Sequence, residues 1–181
     1  LVRIWDGKTK EIRAEVSVGT CQVPIIGLLE ISDNEVLCIS EGGHFGILNL
    51  DSLSMTFTQK TWETFSSFQP LLNENTYLLG HYDGSLSIWE KQDSELEEQG
   101  ERLKICDKPI ISITPLKDNY CAVVSGEDSD TKNTVYIVDF EKREIVQAFT
   151  LDKCKTVLCL PNGDLVCPGD NKIEILRFQA K

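Results

Sequence analysis

The sequence predicts an all-β protein built from repeated four-stranded antiparallel units. Three observations carry that expectation. Short segments alternate apolar and other residues with the period of two that marks a strand. Segments of one design recur along the chain at a nearly constant step. Helical periodicity is absent from end to end.

Five segments align, each closing on a large residue and then a polar one. They are Leu1-Val2-Arg3-Ile4-Trp5-Asp6, His44-Phe45-Gly46-Ile47-Leu48-Asn49 and Ser85-Leu86-Ser87-Ile88-Trp89-Glu90. Thr134-Val135-Tyr136-Ile137-Val138-Asp139 and Lys172-Ile173-Glu174-Ile175-Leu176-Arg177 complete the set. Their fifth positions fall at 5, 48, 89, 138 and 176, in steps of 43, 41, 49 and 38. A second landmark keeps step with the first: two apolar strands joined by a tight polar turn. The turns are Asp33-Asn34-Glu35, Glu74-Asn75-Thr76, Asp118-Asn119-Tyr120 and Asn162-Gly163-Asp164, with centres spaced 41, 44 and 44. Asn, Asp and Gly suit them because they tolerate positive φ or bond their own backbone.

Each unit therefore reads as strands a, b, c and d. The chain opens on strand c, with d near 12–18, a remnant covering 1–18. The second unit, near 22–61, places its strands near 24–32, 36–41, 44–50 and 55–61. The third, near 66–106, places them near 67–73, 77–82, 85–91 and 103–106, with the acidic run 93–102 as a surface loop. The fourth, near 109–150, places them near 109–116, 120–126, 134–140 and 145–150. The last, 155–178, lacks strand d, so about four and a half units are present.

A four-stranded unit of this period, with Trp-Asp closing strand c, resembles the WD-repeat family. Val2-Arg3-Ile4-Trp5-Asp6 is similar to its motif outright, and Gly80 to Glu90 is similar to its strand b, turn and strand c together. Leu48-Asn49 and Leu176-Arg177 depart from the dipeptide. The resemblance implies a β-propeller whose blades are the units above. It gives structural roles to Trp5, Asp6, Trp89 and Asp139 as motif residues, and to Asp83 and Asp170 as the family's b–c turn aspartate. Gly42 and Lys132 stand at that turn position elsewhere, and no His precedes any strand a. The family's His–Asp–Trp hydrogen-bond network is thus expected to be broken, leaving the blades to apolar packing. The family also closes its ring by pairing a C-terminal a-b-c set with a strand from the N-terminus. The expectation is accordingly the C-terminal portion of a longer propeller, partnered by the missing blades of the same parent protein.

Composition narrows the function. Eighteen basic residues against 29 acidic give a net charge of −11, with no basic cluster, so nucleic acid is not an expected partner. A basic peptide or protein surface is easier to attract. No apolar run approaches the roughly 20 residues of a spanning helix, so no membrane partner is expected. Seven Cys, none in a Cys-x-x-Cys spacing and several inside apolar strands, read as reduced core thiols of a cytoplasmic or nuclear protein.

The family's usual docking face carries the d–a and b–c loops. There Trp62 and Phe65 read as docking residues near solvent, with packing between neighbouring blades as the alternative for Trp62. Glu127, Asp128 and Asp130, in the b–c insertion of the fourth unit, read either as a grip for a basic peptide or as a solvated loop. Asp128-x-Asp130-x-Lys132 lacks the Gly and the closing Glu of a calcium loop. With two His, no phosphate-binding glycine loop, and Ser40 and Ser125 at strand ends, no cofactor, metal or catalytic residue is expected. The function expected is an intracellular scaffold for peptides or subunits. The alternatives are an architectural subunit of a permanent assembly and, less favoured, a propeller-fold hydrolase.

Overall fold

The alternating segments become strands, and among the described residues every regular element is a β-strand. The structure, a computed structural model, describes residues 2–17, 24–60, 64–71, 76–92, 95–127 and 129–177. Among them no helix is long and apolar enough to cross a membrane. The chain divides into two units, residues 1–64 and 65–181.

In the first unit, β1 (Val2–Trp5) and β2 (Ile12–Val16) form a hairpin. A four-stranded antiparallel meander follows, β3 (Ile25–Ser32), β4 (Glu35–Ser40), β5 (His44–Asn49) and β6 (Ser54–Lys60). Alternation decides which face is buried: Val2, Ile4 and Val16 pack with Cys38 and Leu48 in one cluster. The other face of the hairpin carries an Arg3–Glu15 ion pair at 2.7 Å and leaves Trp5, cross-paired with Ile12, 59% exposed. The structural role expected of Trp5 is therefore not met within this unit.

The second unit holds three sheets. The first comprises β7 (Phe65–Pro70), β8 (Thr76–His81), β9 (Ser85–Gln92), β10 (Glu95–Glu98) and β11 (Leu103–Lys104). The second runs β12 (Ile110–Pro115), β13 (Tyr120–Ser125), β14 (Lys132–Asp139) and β15 (Glu144–Asp152). The third has β16 (Leu158–Cys159), β17 (Asp164–Pro168) and β18 (Ile173–Arg177). The unbroken apolar run of β13 follows from its position in the middle. Cys121 and Val123 enter the cluster shared with Leu78, Leu86 and Ile110, while Ala122 and Val124 enter the one shared with Leu165 and Cys167. A strand covered on both faces has no use for polar alternation.

One expectation is overturned. The acidic run is half strand rather than loop, because β10 and β11 both pair with β9 and share the role of strand d. Leu96, the single apolar residue of the run, is buried, and that burial is what holds β10 to the sheet. Residues 99–102 bulge between the two pieces, where Gln99 N–H donates to the Ile88 carbonyl at 2.7 Å and Glu98 pairs with Arg102 at 2.6 Å. The guanidinium of Arg143, from the β14–β15 turn, donates to the carbonyls of Gln99 and Glu101 and clasps the bulge. Gly100 takes φ +65° there, directly under that guanidinium.

Candidate functional site

The motif residues act first on turns. The residue after the large motif position accepts hydrogen bonds from the turn joining strands c and d. Asp6 accepts from Lys8 N–H (2.7 Å) and Thr9 N–H (2.9 Å), and Asn49 from Asp51 N–H (3.1 Å) and Ser52 N–H (2.9 Å). Asp139 accepts from Lys142 N–H at 2.9 Å and pairs with its ammonium at 3.1 Å. Four residues on, Lys10, Leu53 and Arg143 sit at φ 58°, 55° and 58°, the left-handed step that turns the chain back. Hydrogen bonds from the turn backbone hold the carboxyls of Asp6 and Asp139 below the ordinary aspartate value.

A hydrogen-bond network different from the His–Asp–Trp one that the resemblance implies surrounds Trp89. Trp89 Nε1–H donates to Ser87 Oγ at 2.7 Å, and Ser87 Oγ lies 2.7 Å from His81 Nε2. His81 ends strand b of the same blade and the middle member is Ser87, while Asp83 is bonded to Ser85, so this chain of bonds is not the His–Asp–Trp bridge between blades. Phe65, expected near solvent as a docking residue, is 0% exposed. Register explains the correction: Phe65 opens β7 opposite His81, and its ring meets His81 and Trp89 edge to face at 5.3 and 6.2 Å.

The loops expected to dock partners are largely tied to one another. Lys108 Nζ pairs with Asp130 at 2.7 Å, and the same carboxylate accepts Glu127 N–H at 2.8 Å. These bonds draw the Asp130 pKa down, first through Lys108 and then through the backbone. Asp130 is thus spent inside the loop, while Glu127 is exposed; Trp62 and Asp128 lie outside the described residues. Asp170 pairs with Lys153 at 3.0 Å, and Lys172 with Asp152 at 3.0 Å. Asp83 accepts from Ser85 N–H (2.9 Å) and Oγ–H (2.6 Å); burial pushes its pKa up, but these bonds outweigh it and the net shift is down. Gly84, at φ +81°, receives the next loop so closely that a Cβ would stand 2.3 Å from the Cys106 carbonyl oxygen. Its own carbonyl accepts Ile105 N–H at 3.0 Å and Cys106 N–H at 3.2 Å.

Open, concave surface lies instead at the opposite end of these strands, around the a–b turn of the second sheet. Two clefts flank that turn and share Leu116, Asp118 and Tyr120. One, of about 170 Å³, continues to Cys159, Asn162 and Gly163. The other, of about 370 Å³, continues to Leu71, Pro115 and Phe140. Asp118 sits at the rim at φ 57°, and its carboxylate makes no hydrogen bond or ion pair among the described residues. Asn119 beside it is held by the Glu141 carboxylate. Sequence reasoning placed Asp118-Asn119-Tyr120 as a turn and did not mark Tyr120, Leu116 or Phe140 as functional. No signal in one sequence marks clefts whose walls are each shared by two sheets.

The described residues include no cluster of His, Cys, Asp and Glu suited to a metal ion. His81 is buried in its network, and His44 Nδ1 lies 3.4 Å from Ser40 Oγ across a tight turn in which Ser40 Oγ also accepts His44 N–H at 3.1 Å.

Comparison with solved structures shows a β-propeller fold. The WD40 β-propeller domain of Doa1 superposes with TM-score 0.64 at 16% identity over 87% of this chain and 51% of that one. The computationally designed Ika8 protein gives 0.64 at 15% identity over 97% and 52%. Hydrazine synthase of Kuenenia stuttgartiensis gives 0.68 at 9% identity over 91% and 49%. The chain spans about half the length of each. No protein-family model matches the sequence, and no curated protein does.

Proposed function

We propose that this chain is a divergent WD-repeat propeller that acts by docking peptides without chemistry, and that the paired clefts around Tyr120 receive them. The observation that carries the reading is the pair of clefts meeting at Tyr120 under an unpaired Asp118. The occupant that suits them is an extended segment with bulky apolar side chains flanked by Lys or Arg. The apolar groups fill the clefts, and the basic ones meet Asp118 and a protein of net charge −11. Burial of Cys38, Cys121 and Cys167 in apolar surroundings supports a reducing, cytoplasmic or nuclear setting.

The test is selection of binders from a displayed peptide library, followed by fluorescence anisotropy of the selected peptide. A consensus with apolar anchors and basic flanks is expected. The surface change Asp118→Lys should weaken binding tenfold or more, about 1.4 kcal/mol, at an unchanged melting temperature, and Tyr120→Ala should weaken it as far while lowering the melting temperature, because the ring also packs on the core. Binding lost in Trp62→Ala but kept in both cleft variants overturns the assignment to the clefts.

A second reading rests on Leu158, Ile173 and Ile175, which leave one face of the last sheet 61–69% exposed. Such a face fits a permanent neighbour, a further blade of the same parent protein or an assembly partner. A partner that survives prolonged washing favours this architectural reading; rapid exchange favours docking.

A further inference from the structure

Two faces stand open at places where their counterparts in the repeat are closed. The fifth motif position marks one place on strand c, at Trp5, Leu48, Trp89, Val138 and Leu176. Alignment on it makes Ile173 and Ile175 the counterparts of Val135 and Ile137. Val135 and Ile137 are 0% exposed, in the cluster that also holds Leu165 and Cys167 of the last sheet. Ile173 and Ile175 are 69% and 61% exposed. Cross-strand register extends their face: Leu158, Val166 and Ile175 stand in one row, and Pro168 and Ile173 in the next. It corresponds to the surface with which β12–β15 receives the sheet that follows it.

The hairpin β1–β2 has the converse opening. Leu48, Trp89 and Val138 are 1%, 3% and 0% exposed, yet Trp5 is 59% exposed, with Ile12 cross-paired to it. Val138 shows what such a position meets, because its cluster includes Leu78 and Leu86 of the sheet before its own. The last sheet thus offers a face for a following neighbour, and the hairpin a face for a preceding one.

We infer that a second copy of this chain is the neighbour of both: the last sheet of one copy packs on the β1–β2 hairpin of the other, and the reciprocal contact closes a two-fold pair. Length agrees, since the chain spans 49%, 52% and 51% of three solved propeller-like chains, so two copies supply the length of one. Charge permits the contact. The net −11 opposes self-association, but each face is locally balanced, by Arg3–Glu15 at 2.7 Å on the hairpin and Asp164–Arg177 at 3.6 Å on the last sheet. Burial of Trp5, Ile12, Ile173 and Ile175 drives it. The two faces differ, so the contact is heterologous, and the reciprocal pairing stops it at two copies. The inference rests on the architectural reading of the last sheet and is independent of the clefts.

Light scattering of the full chain over a range of concentrations tests it, and a mass of two chains is expected. Ile175→Lys and Trp5→Glu, both at exposed positions, should each give a monomer where the unaltered chain is paired. Mixing the two variants should restore a mass of two chains, because an intact last sheet then meets an intact hairpin; refolding them together extends this arm to a variant that folds only when paired. A monomeric unaltered chain, a pair that Trp5→Glu leaves intact, no recovery on mixing, or a mass that keeps rising with concentration overturns the inference. The architectural reading fails separately, if no other protein stays bound through washing either.

Discussion

At the scale of the residue, the polar member of the repeated dipeptide is the working part. Asp6, Asn49 and Asp139 each accept hydrogen bonds from the c–d turn, whether the residue before is Trp5, Leu48 or Val138. The apparent loss of the motif at Leu48-Asn49 therefore costs the blade nothing at its turn. Asp139→Ala should destabilise the protein by about 1.5 kcal/mol, the scale of a hydrogen bond to a charged acceptor, read from chemical denaturation. Asp139→Asn, which copies Asn49, should keep most of that. The pH dependence follows from the sign of the shift. A carboxyl held below its unfolded value stabilises the fold above that value, and the contribution is lost as pH falls through the folded pKa. Acid unfolding of Asp139→Asn should accordingly be shallower than that of the parent chain. The turn role of these residues was legible in sequence because it is local. The fate of Phe65 was not: its burial depends on register against His81 and on the ring of Trp89, neither of which a loop-like flanking sequence reveals.

At the scale of the element, strands a, b and c were readable because alternation and turn chemistry agree along each repeat. Strand d of the third blade was found only in part: Leu103–Lys104 falls where it was expected, but Glu95–Glu98 was hidden by charge. Five acidic residues between Asp93 and Glu101 mask Leu96, and pairing to β9 needs only that one apolar contact and the open edge of its neighbour. The Arg143 clasp on the bulge is likewise invisible in sequence, since its two ends lie more than forty residues apart. The closeness of successive loops makes a sharper prediction. Gly84→Ala should cost more than about 2 kcal/mol, because the left-handed φ alone is worth roughly 1–2 and the added Cβ meets rigid backbone. Equilibrium denaturation measures it. A loss below about 0.5 kcal/mol, the range of an ordinary surface change, would show that the loop yields.

At the scale of the whole molecule, the two ends of the strands divide the work. One end is laced by ion pairs, Lys108–Asp130, Lys153–Asp170 and Lys172–Asp152, between successive loops. Exposed pairs of this kind each contribute little to stability, yet one of them takes up Asp130 from the acidic grip that the sequence offered, while Glu127 stays exposed. The other end keeps Asp118 unpaired among the described residues and opens the clefts around Tyr120. Sequence could announce the propeller, because the repeat is written in every blade. It could not announce the clefts, because Leu71, Leu116, Phe140 and Cys159 meet only after three blades have stacked. The measurement that bears most directly on the docking account is amide chemical-shift mapping of a library-selected peptide on the isotope-labelled chain. The account predicts shifts concentrated at 116–120, 140–141 and 159–163. Shifts confined to 83–85, 106–109 and 127–131, with the Tyr120 region silent, would contradict it.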